Sequence, residues 1–307
     1  MLILINFFKL VRFNKLEFHN NSYQHHIEHI KNYPEDRCRL MLNHNTINRW
    51  RYERFYHLLD PILKLYPDSE WLTVGDFYYG TDGQYLQSRG HKTIASDIDD
   101  HFLKKGKEIG YIENYSKENL ESLSFNNESF DFVLCKESFH HLPRPYLGLY
   151  EMLRVSKIGV VLLEPYDREI NPSPMMKIFE FILKKIKGDT HNLYETSGNF
   201  KYALSVSEIK KITLGLDLPY LAYRFLNDYY KDGMGMETKP KDDPLLNKVK
   251  NRIFLRDILW KMKIFPPTFL MSIIFKKDIS STFLIREGFK VIKLPRNPYL
   301  YNTQENN

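Results

Sequence analysis

Cysteine is scarce in this sequence, with only Cys38 and Cys135 among 307 residues. The second lies in an apolar run typical of a buried strand, so no disulfide framework is expected. A reducing, cytoplasmic location is predicted instead. Long apolar runs are also lacking. The apolar start, residues 1–8, is far shorter than the roughly 20 residues that cross a bilayer. It has no basic segment or small-residue cleavage site, so neither a membrane span nor a signal peptide is predicted.

A strong excess of one charge is missing as well. Lys and Arg number 44 against 38 Asp and Glu, a net charge of +6. Enzymes acting on nucleic acids usually carry a stronger basic stripe, so no nucleic-acid partner is expected. The densest basic stretch, residues 239–263, is interpreted as a solvated helix face; the alternative is a phosphate- or membrane-facing patch, with peripheral membrane contact. No metal is predicted, because no Cys or carboxylate completes a ligand set with His25 and His29.

Short apolar runs alternate with segments of helical periodicity over the middle of the chain. Strands are predicted at 71–74, 91–96, 130–135 and 158–163, and helices at 44–66, 81–90 and 145–155. This alternation is typical of an α/β fold with a doubly wound, mostly parallel sheet. Beyond Pro165 the pattern loosens, with helices predicted at 174–187, 205–216 and 244–264 and strands at 219–229, 270–275 and 289–294, the last at a sheet edge.

The domain boundaries follow from these patterns. Residues 1–43 are predicted to be an N-terminal extension, irregular up to residue 40. A single α/β domain is predicted over 44–300, beginning with the helical segment, with substrate-cap insertions around 166–216 and 231–266. Residues 301–307 are predicted to be a disordered tail.

Polar residues follow the predicted strands at their carboxyl ends, where parallel sheets bind ligands. Gly75 follows the first strand, Asp97 follows the second, and Glu118 and Asn119 come after the position expected for a third. The spacing from Gly75 to Asp97 is close to the roughly 20 residues expected in a nucleoside-binding βαβ unit. A glycine turn lets a ligand approach the backbone, and a carboxylate suits ribose hydroxyls.

These residues resemble those of class I S-adenosylmethionine-dependent methyltransferases of the small-molecule and glycan type. The matching motifs are Val74-Gly-Asp-Phe-Tyr-Tyr-Gly80, Ala95-Ser-Asp-Ile98, Ser122-Leu-Ser-Phe125, Glu128-Ser-Phe-Asp-Phe-Val-Leu134 and His140-His-Leu142, within roughly residues 44–230. The resemblance implies a Rossmann-like fold and S-adenosyl-L-methionine as cofactor. It implies cofactor contacts from Val74, Gly75, Asp76, Phe77, Gly80, Asp97, Ile98, Glu118, Asn119 and Lys136.

Two positions depart from the family pattern. Phe77 stands at a glycine position, where its side chain is expected to crowd the methionine part of the cofactor, and Thr73 stands at an acidic position. Phe77 therefore favours an alternative in which the protein keeps the fold as a non-catalytic cofactor-binding or scaffold protein. An NAD site is the other alternative, because an acidic residue after the second strand serves both cofactors, but the turn lacks a G-x-G-x-x-G pattern.

The predicted acceptor side combines residues after the fourth and fifth strands with a later loop. His140 or His141 is predicted to act as base or acceptor clamp, beside Glu137 and Glu164; the alternative is that the histidine pair only caps or packs the next helix.

Glu195, Asn199 and Tyr202 are predicted to belong to a substrate lid, whose polar and aromatic composition suits a sugar. This lid resembles that of methyltransferases of surface-polysaccharide biosynthesis. A small-molecule or glycan acceptor is therefore expected, with a lipid-linked acceptor at a membrane surface as the alternative. The sequence leaves open whether the chain forms a homodimer.

Overall fold

The computed structural model describes residues 18–168, 193–230 and 243–301, with a few isolated positions between 175 and 185. Several predictions lie outside these residues: the apolar start, most of the helix at 174–187, parts of both cap insertions and the tail from residue 302. Within the described residues, no helix is long and apolar enough to span a membrane.

The N-terminal region is helical. Its elements are α1 (Phe18–Lys31), α2 (Glu35–Arg39), a 3₁₀ turn (Leu40–Leu42), α3 (Ile47–Tyr56) and α4 (Asp60–Leu65). The prediction of irregular structure up to residue 40 was therefore wrong for residues 18–31 and 35–39. Helix α1 is mostly polar, with Ile30 as its buried apolar residue, so its sequence shows little apolar periodicity. The predicted helix at 44–66 is two helices, because Pro61 stands in the first turn of α4, where a proline readily begins a helix.

The described residues form one sheet of eight strands. The strands are β1 (Glu70–Val74), β2 (Lys92–Asp97), β3 (Tyr115–Lys117), β4 (Phe130–Lys136), β5 (Ser156–Pro165), β6 (Tyr220–Leu226), β7 (Phe269–Phe275) and β8 (Lys290–Lys293). The remaining helices are α5 (Thr81–Ser88), α6 (His101–Glu108), α7 (Pro145–Val155), α8 (Val206–Gly215), α9 (Pro244–Lys261), α10 (Ser281–Arg286) and α11 (Pro298–Tyr301). Helices α6, α10 and α11 have no counterpart among the sequence predictions, and β3 occupies the position of the third strand, for which no range was predicted.

The sheet confirms the mostly parallel, doubly wound α/β fold. Its order is β3-β2-β1-β4-β5-β7-β6-β8. Strands β1 to β5 are parallel, whereas β7 runs antiparallel to both β5 and β6, and β8 is an edge strand, as predicted. The chain moves outward from β1 to β3 and then returns to place β4 on the other side of β1. This reversal is a topological switch point, where such sheets bind ligands.

Both faces of the sheet are buried, which explains the near-continuous apolar strands. In β4, Val133 and Cys135 point into a core with helices α7 and α8, while Phe132 and Leu134 point into a core with α3, α4 and α5. The alternation fixes the register of the strands, since a shift by one residue would exchange the two faces.

Close packing also holds the turn that follows β1. Gly106 in α6 lies against this turn: a Cβ atom added to Gly106 would stand 2.4 Å from the carbonyl oxygen of Tyr79. The carbonyl oxygen belongs to the backbone of Tyr79, and the helix backbone fixes the position of the added Cβ. Neither atom can therefore move aside as the end of a flexible side chain would.

We therefore expect Gly106→Ala to lower the free energy of unfolding by about 1–3 kcal/mol, despite the better helix propensity of alanine. Urea unfolding measures this change. Gly215→Ala is the matched control, because Gly215 also lies in a helix but has no atom within 4 Å of an added Cβ, and it should leave stability unchanged or slightly higher. A Gly106→Ala protein as stable as the control would contradict the packing described here.

Candidate active site

A cavity of about 640 Å³ lies at the carboxyl ends of β1, β2, β3 and β4, at the switch point. Its volume is within the range of small-molecule sites. It brings together thirteen of the residues singled out in the sequence: Val74, Gly75, Asp76, Phe77, Asp97, Ile98, Glu118, Asn119, Lys136, Glu137, His140, His141 and Glu195. Four others, Gly80, Glu164, Asn199 and Tyr202, do not line it.

The turn after β1 is held by Asp76. Its carboxylate accepts hydrogen bonds from the backbone N–H groups of Asp82 (3.0 Å) and Gly83 (2.8 Å) and from the hydroxyl of Thr73 (2.9 Å). It thus satisfies donors in the first turn of α5. Thr73, at the position where the family has an acidic residue, donates to this carboxylate. Gly75 has φ +73°, and a Cβ there would stand 2.2 Å from Oγ of Ser138.

Phe77 lines the cavity and packs against aromatic neighbours. Its ring lies 3.8 Å from that of Tyr78 and 5.5 Å from that of Tyr33, between centroids. Together with Phe102 these rings form an aromatic wall between the turn and α1. Phe77 does not have a positive φ, so this position of the turn does not need the conformational freedom of glycine.

Asp97 is a buried carboxylate that lines the cavity. Burial raises its pKa to about 7, although backbone N–H groups of Asp99 and Ile98 donate to it and act in the opposite direction. Because few groups of the protein donate hydrogen bonds to this carboxylate, it can accept further hydrogen bonds from the hydroxyl groups of a ligand such as a ribose. The site therefore fits a nucleoside cofactor at this position.

Glu118 and Asn119 shape the next part of the wall. The carboxylate of Glu118 accepts from the hydroxyls of Ser116 and Ser124, both at 2.7 Å, and from the backbone N–H of Ser124 at 2.9 Å. The side-chain oxygen of Asn119 accepts from the backbone N–H of Glu121. These bonds hold the loop after β3 against the cavity.

Lys136 is a buried cation with several partners. Its ammonium group lies 3.2 Å from a carboxylate oxygen of Asp82 and 4.0 Å from the ring centroid of Tyr52. Burial alone would lower the pKa of Lys136, but the charges of Asp82 and Glu137 raise it on balance. Lys136 therefore stays charged and neutralises the carboxylates around it.

Glu137 has an unsatisfied oxygen at the cavity. Its backbone is left-handed (φ +53°), and its buried Oε2 atom has no hydrogen-bond partner among the described residues. Burial raises the pKa of Glu137, while the cations Lys136 (3.8 Å from Oε2) and Arg51 oppose this shift. A ligand group that donates a hydrogen bond would satisfy this oxygen.

Glu164 is completely buried and binds the turn after β4. One of its oxygens accepts from the backbone N–H groups of Ser138 (2.9 Å) and Phe139 (3.0 Å). The other lies 2.6 Å from Nδ1 of His140. Burial alone would lower the pKa of His140, but the hydrogen bond and charge of Glu164 raise it on balance. This arrangement presents one ring nitrogen of His140 to a carboxylate and leaves the other for chemistry.

A lid formed by α1 and residues 193–201 covers the cavity. The buried amide of Asn199 donates to the hydroxyl of Ser22 (2.5 Å) and to the backbone carbonyl of His141 (2.8 Å), so it joins both halves of the lid to the turn below. Glu195 hydrogen bonds with Nδ1 of His141 and lies 3.8 Å from His26.

Five further lining residues come from α1 and were not expected at the site from the sequence: Tyr23, His25, His26, His29 and Ile30. The hydroxyl of Tyr23 donates to Glu121 (2.6 Å) and accepts from Arg144 (2.8 Å). The only sequence signal was the helical spacing of the histidines, and no metal cluster forms from them among the residues described.

Residues 79–163 match the family model described as a methyltransferase domain. No curated protein matches the chain.

Solved structures that match the chain include an S-adenosylmethionine-dependent methyltransferase from Archaeoglobus fulgidus (15% identity, covering 73% of this chain and 94% of that chain, TM-score 0.44). Another is an S-adenosylmethionine-dependent methyltransferase from Methanosarcina mazei (16% identity, covering 72% of this chain and 98% of that chain, TM-score 0.45).

The matched segment runs from the turn after β1 through Asp97 into β5, and so contains the ends of β2, β3 and β4 that help to build the cavity. Over these residues the chain is similar to a methyltransferase domain.

Proposed function

We propose that this chain is a class I S-adenosylmethionine-dependent methyltransferase, that it transfers a methyl group to an oxygen or nitrogen atom of a small polar acceptor, and that the acceptor is a sugar or a surface-glycan precursor. The observation that carries the proposal is the contact of 2.6 Å between His140 and the buried Glu164 beside the cofactor cavity. A hydroxyl or ammonium acceptor must lose a proton, and a histidine held by a carboxylate is a suitable base.

The cofactor would be held by the strand ends. The turn at Gly75 and Asp76 would approach its amino-acid part, the carboxylate of Asp97 would accept from the ribose hydroxyls, and the loop at Glu118 and Asn119 would border the adenine. S-adenosylmethionine supplies a methyl group made electrophilic by the positive charge on its sulfur.

His140 would act as the general base. Its Nδ1–H donates to Glu164, which fixes the tautomer and leaves Nε2 to take the proton that the acceptor loses. Because the pKa of His140 is raised, the rate should increase as the pH rises through a value above about 6.5, the ordinary histidine pKa. The lid would exclude water while the acceptor is aligned.

The remaining walls suit a polyhydroxy acceptor. The unsatisfied oxygen of Glu137 would accept a hydrogen bond from it, and Glu195, Thr196 and Ser197 of the lid offer further polar groups. The tyrosines Tyr23 and Tyr52 offer flat apolar faces for a sugar ring. In this proposal α1 and the later insertion form the substrate cap of one α/β domain.

The ribose contact is tested by Asp97→Ala. We expect its affinity for S-adenosylhomocysteine, measured by calorimetry, to fall roughly ten- to a hundredfold, because about 1.5–3 kcal/mol of hydrogen bonding to a charged group is lost. Glu108→Ala, which removes an exposed carboxylate of α6, should bind like the wild type. Unchanged binding by Asp97→Ala would place the ribose elsewhere.

The burial of Asp97 should also make stability depend on pH. Its folded pKa of about 7 is above the unfolded value, so ionisation costs stability progressively as the pH rises from about 4 to about 7. Without cofactor, Asp97→Asn should therefore melt at a higher temperature than the wild type, by a margin that grows from pH 5 to pH 8. A difference in melting temperature that does not change with pH would show that folding does not raise the pKa of Asp97.

The base is tested by His140→Gln with methyl transfer to free and nucleotide-linked sugars. The turnover rate should fall roughly a hundred- to ten-thousandfold, with little change in S-adenosylhomocysteine affinity. If His140→Gln turns over as fast as the wild type, His140 has only a packing role. If the wild type transfers no methyl group to any sugar, sugars are excluded as the acceptor class.

The role of Glu164 has a test that needs no acceptor. In Glu164→Gln the amide can still accept from the backbone N–H groups, but the charge is lost, so the pKa of His140 measured by NMR should fall. An unchanged pKa would show that Glu164 does not control the base.

A further inference from the structure

The outward side of α9 is unusually apolar for a helix on a protein surface. Its inner side packs through Leu246, Val249 and Ile253. Its opposite side exposes Phe254 (66%), Leu255 (52%), Ile258 (38%) and, just after the helix, Met262 (62%). We call these four residues the α9 outer face. Single exposed apolar residues are ordinary, but four on one side of a helix form a continuous surface.

The charges around this face all have the same sign. Its exposed neighbours are Lys248, Lys250, Arg252, Lys261 and Lys263. The one carboxylate between residues 244 and 263 is that of Asp257, which accepts a hydrogen bond from Asn227 on the inner side. Arg256 also turns inward, where it donates to the backbone carbonyl of Asp228.

An apolar strip with a basic rim matches a negatively charged lipid surface. Apolar side chains enter the boundary between headgroups and acyl chains, while lysine and arginine pair with anionic headgroups. A contact between two copies of the chain fits less well, because it would bring the same cations together, and protein interfaces are depleted in lysine.

The position of α9 relates this surface to the active site. Asn227 and Asp228, which α9 contacts, follow β6, and β6 ends at the same edge of the sheet as β5 because both run antiparallel to β7. Asp228 also pairs with Arg51 of α3, and α3 supplies Tyr52 to the cavity wall. The α9 outer face therefore lies at the edge of the sheet that carries the cavity.

We propose that the α9 outer face docks the enzyme on membranes containing anionic lipids. This would hold the cavity near a membrane surface, where lipid-linked or surface-bound acceptors are present. The proposal does not depend on the identity of the acceptor or on His140.

Sedimentation of the full chain with vesicles tests the proposal. We expect binding to phosphatidylcholine vesicles containing one-third phosphatidylglycerol, weaker binding at high salt, and little binding to phosphatidylcholine alone. The double variant Phe254→Ser/Leu255→Ser should lose binding. Lys250→Gln/Lys261→Gln should bind about 30-fold more weakly, since each cation near an anionic surface contributes about 1 kcal/mol.

Matched controls separate docking from misfolding. Ile109→Ser/Ile285→Ser removes two apolar residues that are similarly exposed (59% and 54%) away from α9, and should bind vesicles like the wild type. All variants should keep wild-type affinity for S-adenosylhomocysteine. The proposal would be overturned if the wild type failed to bind anionic vesicles, or if Ile109→Ser/Ile285→Ser lost as much vesicle binding as Phe254→Ser/Leu255→Ser.

The oligomeric state distinguishes the other possible occupant of this face. If the wild type is a dimer that does not bind vesicles, and Phe254→Ser/Leu255→Ser converts it to a monomer, the α9 outer face binds a second copy of the chain instead.

Discussion

The burial of one carboxylate, that of Glu164, is the constraint on which the active site depends. A completely buried carboxylate is tolerated only when its oxygens are hydrogen bonded. Here the donors are two successive backbone N–H groups of the turn after β4, and His140. The turn must therefore fold back over the end of β5. That path gives Glu137 its left-handed backbone and brings Ser138 against Gly75, so one buried group orders both halves of the cavity.

Charge balance extends this arrangement to the neighbouring elements. The buried side chain of Asp82 shares the cation of Lys136 with Glu137. Arg51 and Asp228 form a second buried pair between α3 and the end of β6. Removing one partner of such a pair leaves an uncompensated charge, which is far more destabilising than the pair is stabilising. The pairs therefore fix how α3 sits on the sheet, and with it the position of Tyr52.

The sheet could be predicted from sequence because β1, β4 and β5 are short apolar runs. The ends of β1, β2 and β4 then identified Gly75, Asp97 and Glu137. The roles of individual polar groups could not be predicted. Whether Asp76 binds a ligand or the first turn of α5 depends on atoms that only the folded turn brings together. Helix α1 was missed because it is polar, and its contacts, such as Tyr23 with Glu121, join residues 98 positions apart.

The lid has a consequence for the order of folding. Helix α1 leaves the ribosome before any strand of the sheet, yet the hydroxyl of Ser22 meets its partner Asn199 only after 177 further residues have been synthesised. Contacts of such long sequence separation form late, because a large loop must close first. Although it is made before the described strands, α1 is therefore among the last elements to dock, and until then the aromatic wall at Phe77 and the histidines above the cavity remain open to water and to chaperones.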